Sequence, residues 1–231
     1  MSVEREPLVG NRLALAGAIL YLLEWVGILG FNIGNVPADR GLKTAEIVSQ
    51  YTHYGTGIAL LAGWLSVVLL GRILFVAGVR DGIRRSARES LVADFAVAAM
   101  AVSVIIEIAT YAVASGGVQA AAAGTDASTI VAVDAVANKL NLSIIAPLGV
   151  SVLAISAAML GSRSFPRPLC WLGLAAGALL AANGVIAGVA VDAGGVLYQA
   201  FQLLQAAVAA FWLWMLITGV LLFRAAGRQR V

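Results

Sequence analysis

Residues 73–100 read ILFVAGVRDGIRRSARESLVADFAVAAM, and this stretch decides the fold. One apolar run ends in a loop that carries four arginines, and a second apolar run begins directly after it. A helix needs about 17–25 apolar residues to cross a bilayer. Inside hydrocarbon its backbone must satisfy its own hydrogen bonds, which a helix does. The stretch therefore predicts two membrane helices that are joined by a short basic loop.

The same pattern continues along the chain and predicts an all-α, polytopic membrane bundle with six transmembrane helices. Hydrophobic residues make up 61% and charged residues 12% of the 231 residues, and the mean hydropathy is +0.94. A soluble domain is about half apolar and about a quarter charged. The runs lack the alternating polarity of a transmembrane β-barrel. A single transmembrane domain is expected, with spans at about 13–34, 53–79, 91–115, 133–160, 169–191 and 196–223.

The lysines and arginines lie mostly at alternate ends of these spans. Of the 15, only Arg40, Lys43 and Lys139 fall on the side of the first, third and fifth loops. The other 12 flank the remaining loops and the two ends of the chain, if Arg72 is assigned to the second loop. An excess of Lys and Arg marks the cytoplasmic side. The sequence therefore predicts a multi-pass protein of the plasma (inner) membrane with both termini in the cytoplasm.

Composition argues against several classes of function. The net charge of +3 follows from the basic loops, so membrane lipids are the expected partners and nucleic acid is not. Cys170 is the only cysteine and His53 the only histidine, which is too few for a bis-histidine haem or a typical zinc site. No nucleophile, phosphate-loop or metalloprotease motif is present. The sequence predicts no metal, no cofactor and no catalytic residues.

Polar residues within the spans indicate a candidate site for a ligand or a proton pathway. Ionisable side chains inside a membrane are costly and usually face the bundle interior or a wet cavity. Glu24 falls near the middle of the first span and Glu107 in the third. Because the topology alternates, several polar residues of other spans fall at similar depth in the outer half. The predicted outward-facing cavity is lined by Glu24, Glu107, Lys139, Asn138, Asn141, Gln199, Gln202 and His53.

Two interpretations of these residues stay open at this point. In the first, Glu107 and Lys139 form an ion pair and the amides hold the helices together. In the second, Glu24 and Glu107 are titrating groups of a pocket that solvent reaches, since burial disfavours the charged form of a carboxyl group. Glu24 has no cationic partner that the sequence makes evident.

Small residues form a stripe along the fifth span. They recur at steps of three and four, which keeps them on one helical face, and small residues let helices approach closely in lipid. The stripe is expected to pack against another helix of the chain, with a seam between two copies as the alternative. It consists of Gly173, Gly177, Ala181, Gly184 and Gly188.

The first loop carries a short motif. Residues 44–53 read TAEIVSQYTH after Pro37, Ala38 and Asp39, and they predict a short surface helix that begins at Thr44 and turns Tyr51 toward the bundle. With its six spans and its bias to Ala, Val, Gly and Arg, the chain resembles a loose group of actinobacterial six-helix membrane proteins of unknown function. The resemblance implies the topology and transfers no activity and no functional residue.

Three functions are consistent with this pattern. The first is a membrane protein that binds or transports a small or lipophilic molecule with the help of buried carboxylates. The second is a non-catalytic membrane subunit or regulator that packs through the small-residue stripe, as in a homodimer. The third is an intramembrane enzyme that acts on a lipid and uses Glu24 and Glu107 as general acid and base.

Overall fold

The computed structural model describes residues 11–37, 42–86, 90–189 and 195–228, and these ranges contain helices and no strand. The helices are α1 (Leu13–Leu22), α2 (Glu24–Gly30), α3 (Thr44–His53), α4 (Gly55–Val68), α5 (Leu70–Ser86), α6 (Leu91–Ala122), α7 (Ala127–Ser143), α8 (Ile145–Ser162), α9 (Arg167–Val189), α10 (Val196–Leu204) and α11 (Ala206–Arg228).

Six helical segments of the described residues are long and apolar enough to cross a membrane. Four of them consist of two consecutive helices that are separated by one residue, and α3 belongs to none. The prediction of an all-α fold with six segments that are long and apolar enough to span a membrane is confirmed for the described residues. Spans 1 to 6 are Leu13–Gly30, Gly55–Arg85, Leu91–Ala122, Ala127–Ser162, Arg167–Val189 and Val196–Arg228.

The spans form a closed ring in which each one packs against the next in the chain. The ring closes where α11 of span 6 contacts α1 of span 1. Within it, α5 contacts α1, α6, α8 and α11, so helices from four other spans surround it. A polar side chain at the start of α5 can therefore be enclosed by the bundle.

The ends of the bundle differ in character. We call one end of the bundle the basic end, because Arg84 and Arg85 lie there. At this end Asn11 links the start of span 1 to spans 2 and 6. Its backbone N–H donates to Leu222 O at 3.1 Å, and its side-chain amide donates to Asp81 at 2.6 Å. Asp81 also pairs with Arg84 and Arg85. The start of span 1, the end of span 2 and the end of span 6 thus lie together.

The opposite end, which we call the α3 end, is covered by α3. This surface helix matches the prediction for residues 44–53, with Lys43 instead of Thr44 at the cap position, where its N–H donates to the Glu46 carboxylate at 2.7 Å. Ile47 and Tyr51 are buried and belong to a small hydrophobic cluster that is separate from the main core. The amphipathic sequence of α3 thus packs one face on the bundle.

The predicted loop at 116–132 is largely helical in the structure. α6 continues to Ala122 and α7 begins at Ala127, because alanine favours helix and no proline interrupts the segment. Asp126 caps α7 by accepting from Thr129 N at 3.0 Å. Its hydrogen bonds from Thr129 and Ser128 hold the pKa of Asp126 below its usual range.

One helix break has a clear cause in the sequence. α7 ends at Ser143, and Pro147 follows four residues later. A proline has no N–H to donate to the carbonyl four residues before it, and its ring clashes with that carbonyl. The chain turns at Ile144, whose carbonyl accepts the Ser103 hydroxyl at 3.1 Å.

Candidate functional site

An arginine lies between two carboxyl groups in the interior of the bundle. Arg72, near the start of α5, is only 1% exposed, and Glu24 and Glu107 are each 7% exposed. The guanidinium forms an ion pair with Glu107, and its charge also acts on Glu24. We call these three residues the buried charge cluster. Charges at this depth are tolerated in a membrane only when they are paired or solvated.

Glycines bring α1 and α5 close enough to form the cluster. A Cβ atom on Gly71 would lie 2.5 Å from Gly17 O, and one on Gly17 would lie 2.6 Å from Gly71 O. The two backbones therefore touch at this level. Arg72 follows Gly71, and its guanidinium carbon lies 4.9 Å from the ring centroid of Tyr21. This arrangement is a cation–π contact.

Glu24 is held by a short chain of hydrogen-bond donors. The Tyr21 hydroxyl, one helical turn earlier, donates to the Glu24 carboxyl group. The Trp212 indole N–H in turn donates to the Tyr21 hydroxyl at 3.4 Å. The other carboxyl oxygen of Glu24, Oε2, is buried and has no hydrogen-bond partner among the described residues. This atom is the open acceptor of the site.

α6 positions Glu107 on a polar stripe that the sequence also indicates. Ser103, Glu107 and Thr110 are all buried and are three or four residues apart. The Ser103 hydroxyl donates to Ile144 O, and the Thr110 hydroxyl donates to Ile106 O at 2.9 Å. Both hydroxyl groups are therefore engaged with backbone carbonyls, and Glu107 relies on Arg72 for its neutralisation.

The cluster has one acid more than it has bases. With both carboxyl groups ionised, Glu24, Arg72 and Glu107 carry a net charge of −1. A buried charge without a partner costs several kcal/mol, roughly, even after the protein relaxes. One proton, or one cation, makes the cluster neutral. The buried charge cluster can therefore accept a single positive charge.

The predicted ion pair between Glu107 and Lys139 is wrong. Glu107 pairs with Arg72, whereas the Lys139 ammonium donates to Gly188 O at 2.8 Å. Lys139 is exposed in the last two turns of α7, and the carbonyl that it reaches belongs to the last turn of α9, the negative end of that helix dipole. A long lysine side chain reaches such a carbonyl more cheaply than it enters the core.

The other predicted cavity residues lie farther out than Glu24 and Glu107. His53, Gln199 and Gln202 are exposed, and Asn138 and Asn141 are half-buried on α7. The structure thus joins the two predicted carboxyl groups through Arg72 and leaves the exposed side chains outside the buried charge cluster. A wider outward-facing cavity remains a prediction.

Two buried charged residues were missed in the sequence. Arg72 was assigned to the second loop because four arginines follow it, although it lies within an apolar run that continues to Val79. Asp134, in α7, accepts the Tyr51 hydroxyl at 2.9 Å. Burial next to this carboxylate raises the pKa of Tyr51. Asp134 could have been found as an acid inside a predicted span.

The small-residue stripe of α9 lies mainly against α8 within the same chain. A Cβ on Gly177 would lie 2.5 Å from Leu153 N, and one on Gly184 would lie 2.5 Å from Ala146 Cα. Gly173 faces Ser156 and Trp214, whereas a Cβ on Gly188 would meet open space. Most of this face is therefore already covered inside the chain.

Metal ligands do not gather in the described part of the chain, where no three His, Cys, Asp or Glu side chains are grouped so as to hold an ion. Comparisons with protein families, with curated proteins and with solved structures give no match for this sequence or this structure. The functional argument therefore rests on the buried charge cluster.

Proposed function

We propose that this chain is a multi-pass membrane protein that binds or transports a small ligand, with a proton taken up at the buried charge cluster. The observation that carries the proposal is the surplus carboxyl group. A purely structural ion pair needs one acid for Arg72, and Glu107 provides it. Glu24 is a second acid at the same arginine, with a buried oxygen that no described group engages. Burying a second acid here is costly, and such ionisable groups inside a membrane indicate a function.

The proposal includes an orientation in the plasma membrane with both termini in the cytoplasm. Its support is the uneven distribution of Lys and Arg along the sequence. Removing Arg72 from that count leaves 11 basic residues on the cytoplasmic side, against three on the other. The contact between Asn11 and Leu222 is in keeping with this arrangement, because it holds the first and last spans together at the basic end.

The two alternative functions have less support. A subunit that binds a partner through Gly173, Gly177 and Gly184 would need a free face on α9, and α8 and α11 occupy that face. An enzyme that uses two acids as general acid and base would need both carboxyl groups free to reach a substrate. Glu107 is instead bound to Arg72.

The protonation of the cluster can be measured directly. We would record the infrared carbonyl stretch of protonated carboxyl groups in lipid nanodiscs over a stepwise pH titration. The wild type is expected to lose one protonated carboxyl band, and Glu24→Gln is expected to lack that transition. Glu46→Gln, an exposed acid on α3, is the matched control and should keep it. A cluster that shows no change in protonation overturns the proposal.

A further inference from the structure

Glu24 is the member of the buried charge cluster whose charge is least compensated. Arg72 is engaged by Glu107, and its guanidinium also lies over the Tyr21 ring. Glu24 accepts a hydrogen bond from the Tyr21 hydroxyl, and its Oε2 atom has no hydrogen-bond partner among the described residues. An ionised Glu24 would therefore share Arg72 with Glu107 and leave the cluster with one net negative charge, at a side chain that is 7% exposed.

Aromatic side chains are linked to this carboxyl group through Tyr21. Trp212 contacts Tyr21 through its indole N–H, and the rings of Trp25 and Trp212 meet edge to face with centroids 4.9 Å apart. Tyr111 of α6 is close enough for the charge of Glu24 to act on its hydroxyl. Aromatic faces attract cations, and most strongly when water is excluded. The surroundings of Glu24 are thus suited to a cation with an apolar body.

The bundle surface next to Glu24 in the chain is apolar. Trp25 is 38% exposed on the outside of span 1, and its partner Trp212 is half-buried on span 6. In a membrane this seam between spans 1 and 6 faces lipid. A ligand that enters there must be soluble in hydrocarbon as well as charged. An anion would add to the negative charge of the cluster and is disfavoured.

We propose that Glu24 binds a small lipophilic monocation, such as a quaternary or protonated amine, in exchange for one proton. This inference rests on the proposed function and names its class of ligand. The carboxyl group of Glu24 releases its proton to water as the cation binds, so the cluster is neutral before and after the exchange. No covalent bond of the ligand is made or broken.

The groups that accompany this exchange come from every helix packed around Glu24 in the described part of the chain. The titratable or charged ones are Tyr21 of α1, Arg72 of α5, and Glu107 and Tyr111 of α6. α4 contributes Trp64, whose indole N–H donates to Leu23 O at 2.8 Å, and α11 contributes Trp212. The two indoles do not titrate, the tyrosines are much weaker acids than a carboxyl group, and Glu107 is paired with Arg72. Glu24 is therefore the group whose proton the cation displaces.

The test uses two probes of equal shape. Benzyltrimethylammonium is a small lipophilic cation, and neopentylbenzene is its uncharged carbon analogue. Binding to the full-length protein in nanodiscs would be measured by equilibrium dialysis and by tryptophan fluorescence. The cation is expected to bind, to release one proton for each cation bound, and to gain about tenfold in affinity per pH unit while Glu24 is protonated. The neutral analogue is expected to bind at least tenfold more weakly.

Variants separate the role of Glu24 from a general loss of folding. Glu24→Gln is expected to lose the cation binding and the proton release, and Glu46→Gln to keep both. If Glu24→Gln does not fold, as judged by size-exclusion chromatography, Glu24→Asp keeps the charge and is expected to bind with the same dependence on pH. Equal binding of the two probes, or cation binding without proton release, overturns the inference.

The outcome also distinguishes this inference from the proposed function. If the infrared transition of Glu24 is present but no cation binds, the ligand class is wrong and the proton site stands. If the transition is absent as well, both proposals fail. Cation binding that persists unchanged in Glu24→Gln places the ligand elsewhere and overturns this inference alone.

Discussion

Arg72 shows how one residue determines the interior of this protein. It lies in the middle of an apolar span, it is almost completely buried, and it is the cation between two acids. Burying an ion pair gives little net stability, because desolvation offsets most of the attraction. Removing one partner is different, since it leaves the other charge buried and alone. Changing Arg72 alone should therefore lower the stability much more than changing Arg72 and Glu107 together.

We predict that Arg72→Met lowers the free energy of unfolding by about 3–5 kcal/mol. The double variant Arg72→Met/Glu107→Met is expected to recover most of this loss, because no unpaired charge remains at that position. Unfolding by denaturant in mixed micelles measures both values. Arg84→Met, an exposed arginine on the same helix, is the control and should change stability little. If the double variant loses as much stability as the two single substitutions added together, the pairing of Arg72 with Glu107 is contradicted.

We predict that Tyr51→Phe lowers the free energy of unfolding by about 1–3 kcal/mol, since it removes a hydrogen bond to the Asp134 carboxylate. The pKa of Tyr51 is raised in the folded state, so the neutral phenol is favoured there. Its contribution is complete below the unfolded-state pKa of about 10 and is lost as the pH rises toward the folded-state value.

Because the pKa of Tyr51 is raised in the folded state, its contribution can be tested by varying the pH. Stability measured by chemical unfolding should fall above about pH 10 in the wild type and should fall less in Tyr51→Phe. Tyr54→Phe, a half-buried tyrosine next to α3, serves as the comparison. Parallel curves for the wild type and Tyr51→Phe would show that the bond to Asp134 makes no difference.

At this scale the sequence predicts two of the buried acids, Glu24 and Glu107, and fails to predict their partner Arg72. Glu24 and Glu107 stand out because acids are rare inside apolar runs. Arg72 is also inside such a run, but the arginines that follow it make a loop boundary look equally reasonable. Only the packing of α1 on α5 shows that Arg72 turns inward, and that packing depends on contacts between distant parts of the chain.

Among the helices, close approach through glycine is the main packing device. Gly71 and Gly17 bring α5 and α1 into backbone contact, and Gly177 and Gly184 do the same for α9 and α8. In lipid, association depends on such contacts because burial of apolar surface no longer drives it. The α9 stripe is visible as a regular spacing of small residues. The α1–α5 contact is harder to find, since each helix contributes only isolated glycines.

We predict that Gly71→Ala lowers the free energy of unfolding by about 1–3 kcal/mol, because the new methyl group would press on backbone atoms of α1. The Cβ would lie 2.5 Å from both Gly17 O and Tyr21 N, which cannot rotate away. Gly63→Ala, in α4 of the same span, is the matched control because its Cβ would meet nothing within 4 Å.

The expected result is a large difference between these two alanines in the same unfolding assay. Gly63→Ala should be neutral or slightly stabilising, since alanine favours helix by up to about 1 kcal/mol over glycine. Similar effects of the two substitutions would mean that α1 and α5 do not touch. Gly71→Ala should also weaken the proton transition of Glu24, as Arg72 would move with α5.

Helix boundaries show where local sequence is and is not sufficient. The α7–α8 break follows from Pro147 and can be anticipated from the sequence alone. The continuation of α6 to Ala122 was missed because glycine, serine and threonine lower the hydropathy of residues 116–132 without ending the helix. Length and hydropathy identify spans well, but they measure the apolar part of a helix and not its ends.

For the molecule as a whole, the closed ring and the even number of spans place the start of span 1 and the end of span 6 at the same end of the bundle. The first and last spans meet at the basic end, where Asn11 contacts Leu222. α3 covers the opposite end of the bundle. Which of these ends faces the cytoplasm is a prediction from the distribution of Lys and Arg. The ring itself could not be predicted, because the order of helices around it depends on many weak contacts between apolar faces.

We predict that the basic end is cytoplasmic and the α3 end external. In a Cys170→Ser background, Thr52→Cys is expected to react with a membrane-impermeant maleimide in right-side-out vesicles. Arg84→Cys is expected to react only in inverted vesicles. Both positions are exposed, so differences in labelling report the side of the membrane. Labelling of both cysteines from the same side would contradict the alternating topology.

The position of Arg72 between its two acids in the chain has a consequence for biogenesis. An arginine at the centre of a helix costs about 2.5–3.5 kcal/mol when the translocon releases that helix into lipid. Glu24 is synthesised before Arg72, and Glu107 after it. The nascent second span therefore meets a carboxylate that is already in the bilayer, and its definitive counter-ion arrives later with the third. We therefore expect the insertion of the first three spans to be coupled. In a ribosome-stalled chain that ends after span 2, the insertion of span 2 should already depend on Glu24.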